Sequence, residues 1–440
     1  MRKRTFRRGV HPQEHKEWTS GKTIEVLPVP RRVVIPLQQH TGVICEPLVN
    51  TGDQVSAGQK IGESKALISA SVHSSISGTV IACKSYPHPI LPNTVNSIVI
   101  EEREGATDVT WTEKQDWTVL SPDEIKAKIK EAGIVGLGGA AFPTHVKLSP
   151  PPLKKIDTFI LNGAECEPYL TNDHRLMLDN PDEIFEGAKI ILHALGIMRG
   201  YIGIEVNKLD AINIMKERCA QEKVFQIKVV PLKVKYPQGA EKQLIKAILN
   251  REVPRGGLPF DIGVVVQNVG TAYAIYEAVV KNKPLIERII TVSGIGVKEK
   301  KNLKVKIGTL FSEVIEYCGG FCANGGMKII MGGPIMGVAQ YTAKVPVIKG
   351  TSAILVLEAF EEREGPCIKC GRCVDVCPIF LMPHRIAEFI QRDNFTMSEA
   401  YGVRDCIECG CCSYICPARI PHVHLVKYAK MSLAKVKAAK

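Results

Sequence analysis

The clearest chemical signal in this chain is a pair of cysteine runs near its C-terminal end. Eight of the 15 cysteines lie in these runs, and each run reads C-x₂-C-x₂-C-x₃-C followed by proline. In bacterial ferredoxins this spacing places three thiolates of one run on an iron–sulfur cluster and sends the fourth to the other cluster. Structural zinc usually takes two separate C-x-x-C pairs, and disulfide frameworks are typical of secreted domains, so both alternatives fit poorly. The pattern predicts two [4Fe–4S] clusters.

Cross-ligation divides the eight cysteines into two sets of four. The first cluster takes Cys367, Cys370, Cys373 and Cys416, and the second takes Cys377, Cys406, Cys409 and Cys412. Cys411 is an additional thiol in the second run, and the register of the first run selects Cys412 as the ligand instead of it. We therefore expect Cys411 to fill space without binding iron.

A second candidate site is the glycine-rich stretch GLGGAAFPTHVK at residues 136–147. Glycines let backbone N–H groups come close to an anion and permit positive φ, so a phosphate is the expected ligand. The stretch matches neither G-x-G-x-x-G nor G-x-x-x-x-G-K-[ST], and most glycine-rich loops are plain turns. Its interpretation therefore depends on the elements around it.

These elements predict an α/β domain over residues 115–285. The stretch SPDEIKAKIKEAG predicts a helix with Ser121 as N-cap, Pro122 at the first position, Glu124 closing a capping box and Gly133 at its end. The segments TFILN, GIMRGYIGIEVN, FQIKVVPL and IGVVVQNVGTAYAIYEAV then follow a strand-and-helix rhythm. Polar residues at the strand ends are where such folds bind ligands.

Composition and charge limit the remaining possibilities. The net charge of +12 is concentrated in a basic N-terminal segment (1–29) and a basic tail (427–440). Both are expected to be solvated tails or surfaces for anionic lipid or an acidic protein, and no groove-reading motif indicates nucleic acid. No apolar run reaches the roughly 18 residues of a membrane helix, and no apolar h-region follows the basic start. We expect a cytosolic chain of two to four domains.

Residues 30–114 are rich in β-branched residues and turn signals and resemble the barrel-sandwich of biotinyl and lipoyl domains. In that setting Lys65 stands near the position of a carrier lysine. Its distance to the following SGTV departs from the lipoyl pattern, so we expect an ordinary surface lysine.

Four motifs in order, GLGGAAFPTHVK, NGAECEP, YPQGAEKQL and QNVGT, resemble the flavin and NADH site of the NADH-binding subunit of respiratory complex I. The opening RTFRRGVHPQEHK, the β-rich unit and the cysteine runs extend the likeness. Over nearly its full length the chain resembles the C subunit of the Rnf ion-translocating ferredoxin:NAD oxidoreductase. This resemblance implies an α/β flavin- and nucleotide-binding domain, preceded by the barrel-sandwich unit. It also implies a β-grasp module at 286–350, serving as a spacer, and a ferredoxin-like α domain at 358–426.

The resemblance further implies non-covalently bound FMN, NAD(H) as substrate, and a peripheral position on the cytoplasmic face of the bacterial cell membrane. Other Rnf subunits would be the partners, with electrons coming ultimately from ferredoxin and ion pumping left to membrane subunits. The residues carried over to FMN are Gly136, Gly138, Gly139, Lys147, Asn162, Glu165, Asn268 and Thr271. Those carried over to NAD(H) are Phe142, Glu167, Tyr236, Gly239 and Glu241. No acid–base triad is required.

The chain departs from the complex I pattern at Ala164 and Ala240, where that pattern has acidic residues. Two other functions stay open, and this departure bears on the second. One is the cobalamin reductase of bacterial microcompartments, whose β-rich unit lies elsewhere in the chain. The other is a non-catalytic iron–sulfur relay whose flavin motifs have decayed.

Several further residues are expected to be structural only. We expect buried thiols at Cys318 and Cys322, a packing role for Cys166, and a loop without metal at His11 and His15.

Overall fold

The computed structural model of the chain describes residues 3–103, 109–112, 114–322, 326–359 and 363–438, with side chains described as far as residue 435. The N-terminal segment is packed against the protein. Arg4 and Val10 form isolated bridges with Leu232 and Tyr236, and a 3₁₀ turn and strand β1 (Ile24–Val26) follow. The interpretation of this segment as a solvated tail is therefore wrong.

The barrel-sandwich domain is all β, as predicted. Its strands are β2 (Arg32–Pro36), β3 (Glu46–Pro47), β4 (Gln54–Val55), β5 (Lys60–Glu63), β6 (Val72–His73), β7 (Gly78–Tyr86) and β8 (Val95–Glu102). They form a four-stranded sheet in the order β2-β8-β7-β4 and a three-stranded sheet in the order β3-β5-β6. Aliphatic side chains such as Val33, Ile35, Ile61 and Ile98 fill the space between the two sheets.

The α/β domain contains a parallel sheet in the order β11-β10-β9-β12. Its elements are α1 (Pro122–Glu131), α2 (Thr144–Lys147), β9 (Thr158–Gly163), α3 (Asn172–Asp179), α4 (Pro181–Leu195), β10 (Arg199–Glu205), α5 (Leu209–Gln221), β11 (Gln226–Leu232), α6 (Glu241–Leu249), β12 (Val264–Asn268) and α7 (Val269–Val280). The capping box at Ser121 is confirmed. The chain leaves β9 towards β10 and returns on the other side at β12, so the carboxyl ends of β9 and β12 form a topological switch point.

The β-grasp module adds a six-stranded sheet in the order β1-β14-β13-β17-β15-β16. Its other elements are β13 (Glu287–Ser293), β14 (Lys301–Lys306), α8 (Phe311–Tyr317), β15 (Met327–Met331), β16 (Val338–Gln340) and β17 (Ala353–Glu358). Phe311, Val314 and Ile315 bury the inner face of α8. Two of the six strands, β1 and β17, lie outside the predicted range 286–350.

The C-terminal domain is helical. Its helices are α9 (Arg372–Val376), α10 (Pro383–Gln391), α11 (Phe395–Ala400), α12 (Cys411–Ile415) and α13 (His422–Ala438). Helix α13 runs across the boundary predicted at residue 427 and buries Ala429 and Leu433 in the core of this domain. Within the described residues, no helix is both long and apolar enough to cross a membrane.

Candidate flavin site and cluster cavities

The glycine-rich loop connects α1 to α2 at the switch point of the parallel sheet. Gly136 N–H donates to the Phe142 carbonyl over 2.8 Å, which closes the loop on itself. Leu137 N–H donates to Thr271 Oγ1 over 2.9 Å, which ties the loop to the start of α7. Among the described residues other than its two chain neighbours, no heavy atom lies within 4 Å of the position that a Cβ on Gly139 would occupy. The loop thus presents open backbone of the kind that a phosphate-bearing cofactor requires.

The ends of β9 and β12 form the wall of the site next to this loop. Asn162 and Asn268 are register partners on the two strands. A Cβ on Gly138 would lie only 3.0 Å from Asn268 Cβ, so the loop packs closely on this strand end. Asn162 Nδ2 donates to the Gly239 carbonyl over 2.8 Å and thereby adds the loop before α6 to the wall. Residues from four separate motifs meet here.

Lys147 and Glu241 form an ion pair at this edge of the sheet. Lys147 Nζ lies 2.8 Å from Glu241 Oε1 and donates to the Val266 carbonyl over 2.9 Å. The side chains are 24% and 36% exposed, so both remain within reach of a ligand. The structure thus brings together one residue predicted for FMN and one predicted for NAD(H).

Glu165 is buried and its carboxylate is held by protein groups. Glu165 Oε1 accepts a hydrogen bond from Asp173 N–H over 2.6 Å, and Asp173 Oδ2 accepts from Asn268 Nδ2 over 2.6 Å. Lys16 Nζ lies 4.0 Å from Glu165 Oε2. Burial raises the pKa of Glu165 to about 7, while the positive charge of Lys16 acts in the opposite direction and lowers it. Glu165 is therefore not a solvated loop carboxylate, and its direct contact with FMN stays a prediction.

Lys16, Asp173 and Arg288 complete this region and were not found from the sequence. Lys16 Nζ donates to the carbonyls of Glu165, Glu167 and Leu170, which fixes the strand-end loop. Arg288 is buried and donates to the Leu137 carbonyl over 3.2 Å, behind the glycine loop. Burial lowers the pKa of Arg288 to about 10. The basic character of the N-terminal segment was visible, but nothing local distinguishes Lys16 from its exposed neighbours.

Glu167 and Tyr236 lie where three domains meet. Glu167 accepts from the N–H groups of Ile335 and Met336 over 3.1 and 2.9 Å, and Tyr236 Oη lies 3.2 Å from Glu167 Oε1. The Tyr236 hydroxyl donates to the Cys409 carbonyl over 2.7 Å. Burial raises the pKa of Glu167. The β-grasp module therefore makes specific contacts beside the site and is more than a spacer.

The eight predicted cluster cysteines line two separate cavities. We call the inner cavity the one lined by Cys377, Cys406, Cys409 and Cys412, together with Cys411. We call the outer cavity the one lined by Cys367, Cys370, Cys373 and Cys416. In each cavity the fourth thiol of one run joins three thiols of the other. Four thiols around one space form the donor set that an iron–sulfur cluster takes.

One expectation for the remaining thiols is wrong. Cys318 is buried, but Cys322 is exposed, so the expectation of a buried thiol there is wrong. Cys166 Sγ accepts a hydrogen bond from Gly239 N–H over 3.3 Å, and burial raises its pKa to about 12. His15 stacks on Tyr169 with ring centroids 4.7 Å apart. Lys65 is exposed.

The order of sequence families along the chain agrees with these domains. The chain matches the RnfC barrel sandwich hybrid domain over residues 4–105 and the Nuo51 FMN-binding domain over 129–277. It matches the SLBB domain over 289–339 and the 4Fe-4S dicluster domain over 360–417.

Three curated relatives cover nearly the whole chain. The C subunit of the proton-translocating ferredoxin:NAD(+) oxidoreductase complex of Clostridium ljungdahlii is 48% identical, over 97% of this chain and 93% of that protein. The C subunit of the Na(+)-translocating complex of Acetobacterium woodii is 45% identical, over 98% and 97%. The C subunit of the ion-translocating oxidoreductase complex of Rhodobacter capsulatus is 43% identical, over 98% and 83%.

Among solved structures, the chain overlaps an NAD+-reducing [NiFe]-hydrogenase in the H2-reduced state at a TM-score of 0.49 and 16% identity, over 71% of this chain and 61% of that one. That overlap is too weak to argue from. The full-length identity to the three curated relatives and the four domain matches lead to one conclusion: the chain belongs to the family of C subunits of ion-translocating ferredoxin:NAD(+) oxidoreductase complexes.

Proposed function

We propose that this chain is the peripheral electron-transfer subunit of a membrane ferredoxin:NAD+ oxidoreductase that couples electron flow to ion translocation. The observation that carries the proposal is the direct contact between the candidate flavin site and the inner cavity. Tyr236 belongs to the wall of the flavin site, and its hydroxyl reaches the carbonyl of Cys409, which lines the inner cavity. The two kinds of redox site are therefore adjacent within one chain.

The residues that would hold FMN come from the glycine loop, from the strand-end wall and from helix α2 at the switch point. Gly136, Gly138 and Gly139 offer backbone to the cofactor, while Asn162, Asn268 and Thr271 shape the strand-end wall. Lys147 would meet the phosphate, since its ammonium lies at this edge and its side chain is 24% exposed. Glu165 would act through Asp173 and Asn268, which it positions. Ala164 is buried against Gly239, so the departure from the acidic pattern leaves a packed wall.

NAD(H) would bind on the exposed side of the same site. Phe142 is half-buried beside the glycine loop and would stack on the adenine. Glu241 would accept hydrogen bonds from ribose or nicotinamide once Lys147 turns to the phosphate. Gly239 and Tyr236 would form the inner wall, and Glu167 would hold Tyr236 in place. When bound, FMN exchanges a hydride with NAD(H) and single electrons with the clusters.

The two cavities differ in how far their cysteines are buried, and from this difference we infer the order in which electrons pass through them. Cys377 and Cys409 of the inner cavity are buried, and Cys409 packs with Tyr236 against the flavin domain. Cys367 and Cys370 of the outer cavity are exposed. We therefore place the inner cavity next to the flavin and the outer cavity on the side of one-electron partners. Those partners would be other subunits of the complex, which relay electrons from ferredoxin at the cytoplasmic face of the membrane.

The experiment is cofactor analysis of the purified full-length protein followed by anaerobic addition of NADH. We expect acid-extractable FMN, about eight iron atoms per chain, and loss of flavin absorbance on adding NADH. A protein with full iron and no flavin would instead be the non-catalytic relay. A protein that holds FMN but reduces cob(II)alamin in preference to one-electron protein carriers would be the microcompartment reductase, although the barrel-sandwich match at residues 4–105 argues against that family.

A further inference from the structure

The barrel-sandwich domain contacts the glycine loop directly, at the turn formed by residues 40–42. Thr41 N–H donates to the Ala141 carbonyl over 3.1 Å, and Thr41 Oγ1 donates to the Ala140 carbonyl over 2.7 Å. Ala141 has a φ of 49°, which is the left-handed region that residues with a Cβ seldom adopt. One residue of the barrel-sandwich domain thus holds two successive carbonyls at the most constrained point of the loop.

The turn that carries Thr41 is itself fixed. Gly42 has a φ of +123°, and a Cβ there would lie 2.1 Å from the Ile68 carbonyl oxygen. Val43 N–H donates to the same carbonyl over 2.9 Å, which joins the turn to the neighbouring hairpin. Only glycine fits this position, so the backbone around Thr41 has little freedom to move away from the loop.

The same domain also holds the elements on both sides of the glycine loop. On the α1 side, a Cβ on Gly133 would lie 2.1 Å from the Ser71 carbonyl, and the buried Lys349 Nζ donates to the carbonyls of Ser71 and Gly133. On the α2 side, His145 Nε2 lies 3.2 Å from the Leu67 carbonyl. The barrel-sandwich domain therefore contacts the chain before, within and after the loop, and Lys349 of the β-grasp module bridges the first of these contacts.

We propose that the barrel-sandwich domain is a clamp that keeps the glycine loop in the conformation that binds FMN, with Thr41 as its positioning residue. The proposal rests on the proposed function, because it assigns the FMN phosphate to that loop. Thr41 acts on the loop backbone and does not touch the cofactor. The loop backbone is set before FMN arrives, so the clamp lowers the ordering cost of binding.

The test is FMN affinity in full-length protein stripped of flavin, measured by quenching of FMN fluorescence. Thr41→Val removes the hydroxyl and keeps the β-branched shape, and we expect an FMN Kd about five-fold higher, the effect of one lost neutral hydrogen bond. Thr41→Ser restores the hydroxyl and should restore the Kd. Gly42→Ala displaces the whole turn and should act more strongly than Thr41→Val.

Two matched changes in the same domain serve as controls. Thr79→Val removes a hydroxyl that accepts from Gln54 Nε2 over 2.9 Å, between strands β4 and β7. Gly52→Ala places a Cβ at a φ of +100° where, chain neighbours aside, the described part of the protein has no atom within 4 Å. Both should leave the FMN Kd unchanged, even where they lower the melting temperature. Iron content should stay at the wild-type value throughout.

Wild-type FMN affinity in both Thr41→Val and Gly42→Ala would overturn the clamp. Equal weakening by the two control changes would overturn it as well, because the effect would then report general stability. If Thr41→Val is insoluble, Thr41→Ala removes the same hydroxyl without adding a methyl group near Ala140, and insolubility of both would contradict a role confined to the loop. Failure of the wild-type protein to bind FMN would instead refute the proposed function.

Discussion

Replacing Lys147 by alanine is the most direct test of the flavin site. Lys147 Nζ lies 2.8 Å from Glu241 Oε1 and 2.9 Å from the Val266 carbonyl oxygen. A charge-assisted contact to phosphate contributes about 1.5–3 kcal/mol. Lys147 must loosen a partly exposed ion pair to make this contact, and such a pair contributes about 0–1 kcal/mol.

The difference leaves a net loss of about 0.5–3 kcal/mol for Lys147→Ala, which is about a 2- to 150-fold higher Kd for FMN. The same reasoning predicts that Glu241→Gln, unlike Lys147→Ala, does not raise the FMN Kd. Removing the carboxylate frees Lys147 for the phosphate, so the FMN Kd should stay the same or fall by up to about five-fold. Opposite signs from the two halves of one ion pair distinguish a phosphate contact from a purely structural pair.

The assay is titration of flavin-stripped full-length protein with FMN, followed by fluorescence quenching. Lys154→Ala is a matched control, because Lys154 Nζ also pairs with a carboxylate of the same domain, Asp261, over 2.8 Å. It should leave the Kd unchanged. Wild-type FMN affinity in Lys147→Ala would refute the phosphate assignment. Equal weakening by Lys147→Ala and Glu241→Gln would refute the division of roles between them.

Three further outcomes are expected. Glu241→Gln should slow flavin reduction by NADH in stopped-flow measurements while FMN content stays normal, because its carboxylate is assigned to the nucleotide; wild-type kcat and KM would contradict this. Cys377→Ala should lower iron content towards half and leave the EPR signal of the outer cavity, whereas loss of that signal alone would mean that each run binds its own cluster. Burial lowers the pKa of Lys349 from its ordinary value of 10.5 to about 7. Between these two pH values the unfolded chain binds a proton at Lys349 that the folded chain lacks, so this group makes the free energy of unfolding rise with pH. In Lys349→Met the melting temperature should therefore rise less steeply with pH over this range. An unchanged slope of melting temperature against pH would contradict the assignment.

Local patterns predicted a large part of the fold and of the site. The capping box at Ser121 and the strand TFILN depend on residues close in sequence, and both are confirmed. The spacing within the two cysteine runs determines which thiols can face the same space. The thiols line the two cavities in the two sets that cross-ligation predicts. Such features are determined by short-range sterics and hydrogen bonding, so the printed sequence contains them.

The contacts that tie the domains together could not be predicted in this way. Lys16 reaches the carbonyl of Glu165, and Tyr236 reaches that of Cys409, 173 residues away in sequence. Strand β1 joins a sheet whose other strands begin at residue 287. These partners are selected by the packing of whole domains, and no periodicity or motif around either residue indicates them. The domain boundaries expected at 350 and 427 are crossed for the same reason, the first by the sheet that includes β17 and the second by helix α13.

Two glycines explain how close the three domains come at Tyr236. A Cβ on Gly410 would lie 2.6 Å from Ile335 Cγ2, and a Cβ on Gly333 would lie 2.2 Å from Glu167 Oε2. Each glycine removes a side chain that would otherwise push the β-grasp loop away from the cluster domain or from the flavin domain. The loop carrying Ile335 can therefore donate to Glu167 while it packs on the inner-cavity run. The flavin wall, the β-grasp loop and the inner cavity are held against one another by close approach of glycine backbone to the side chains of Glu167 and Ile335, which a Cβ at either glycine would not allow.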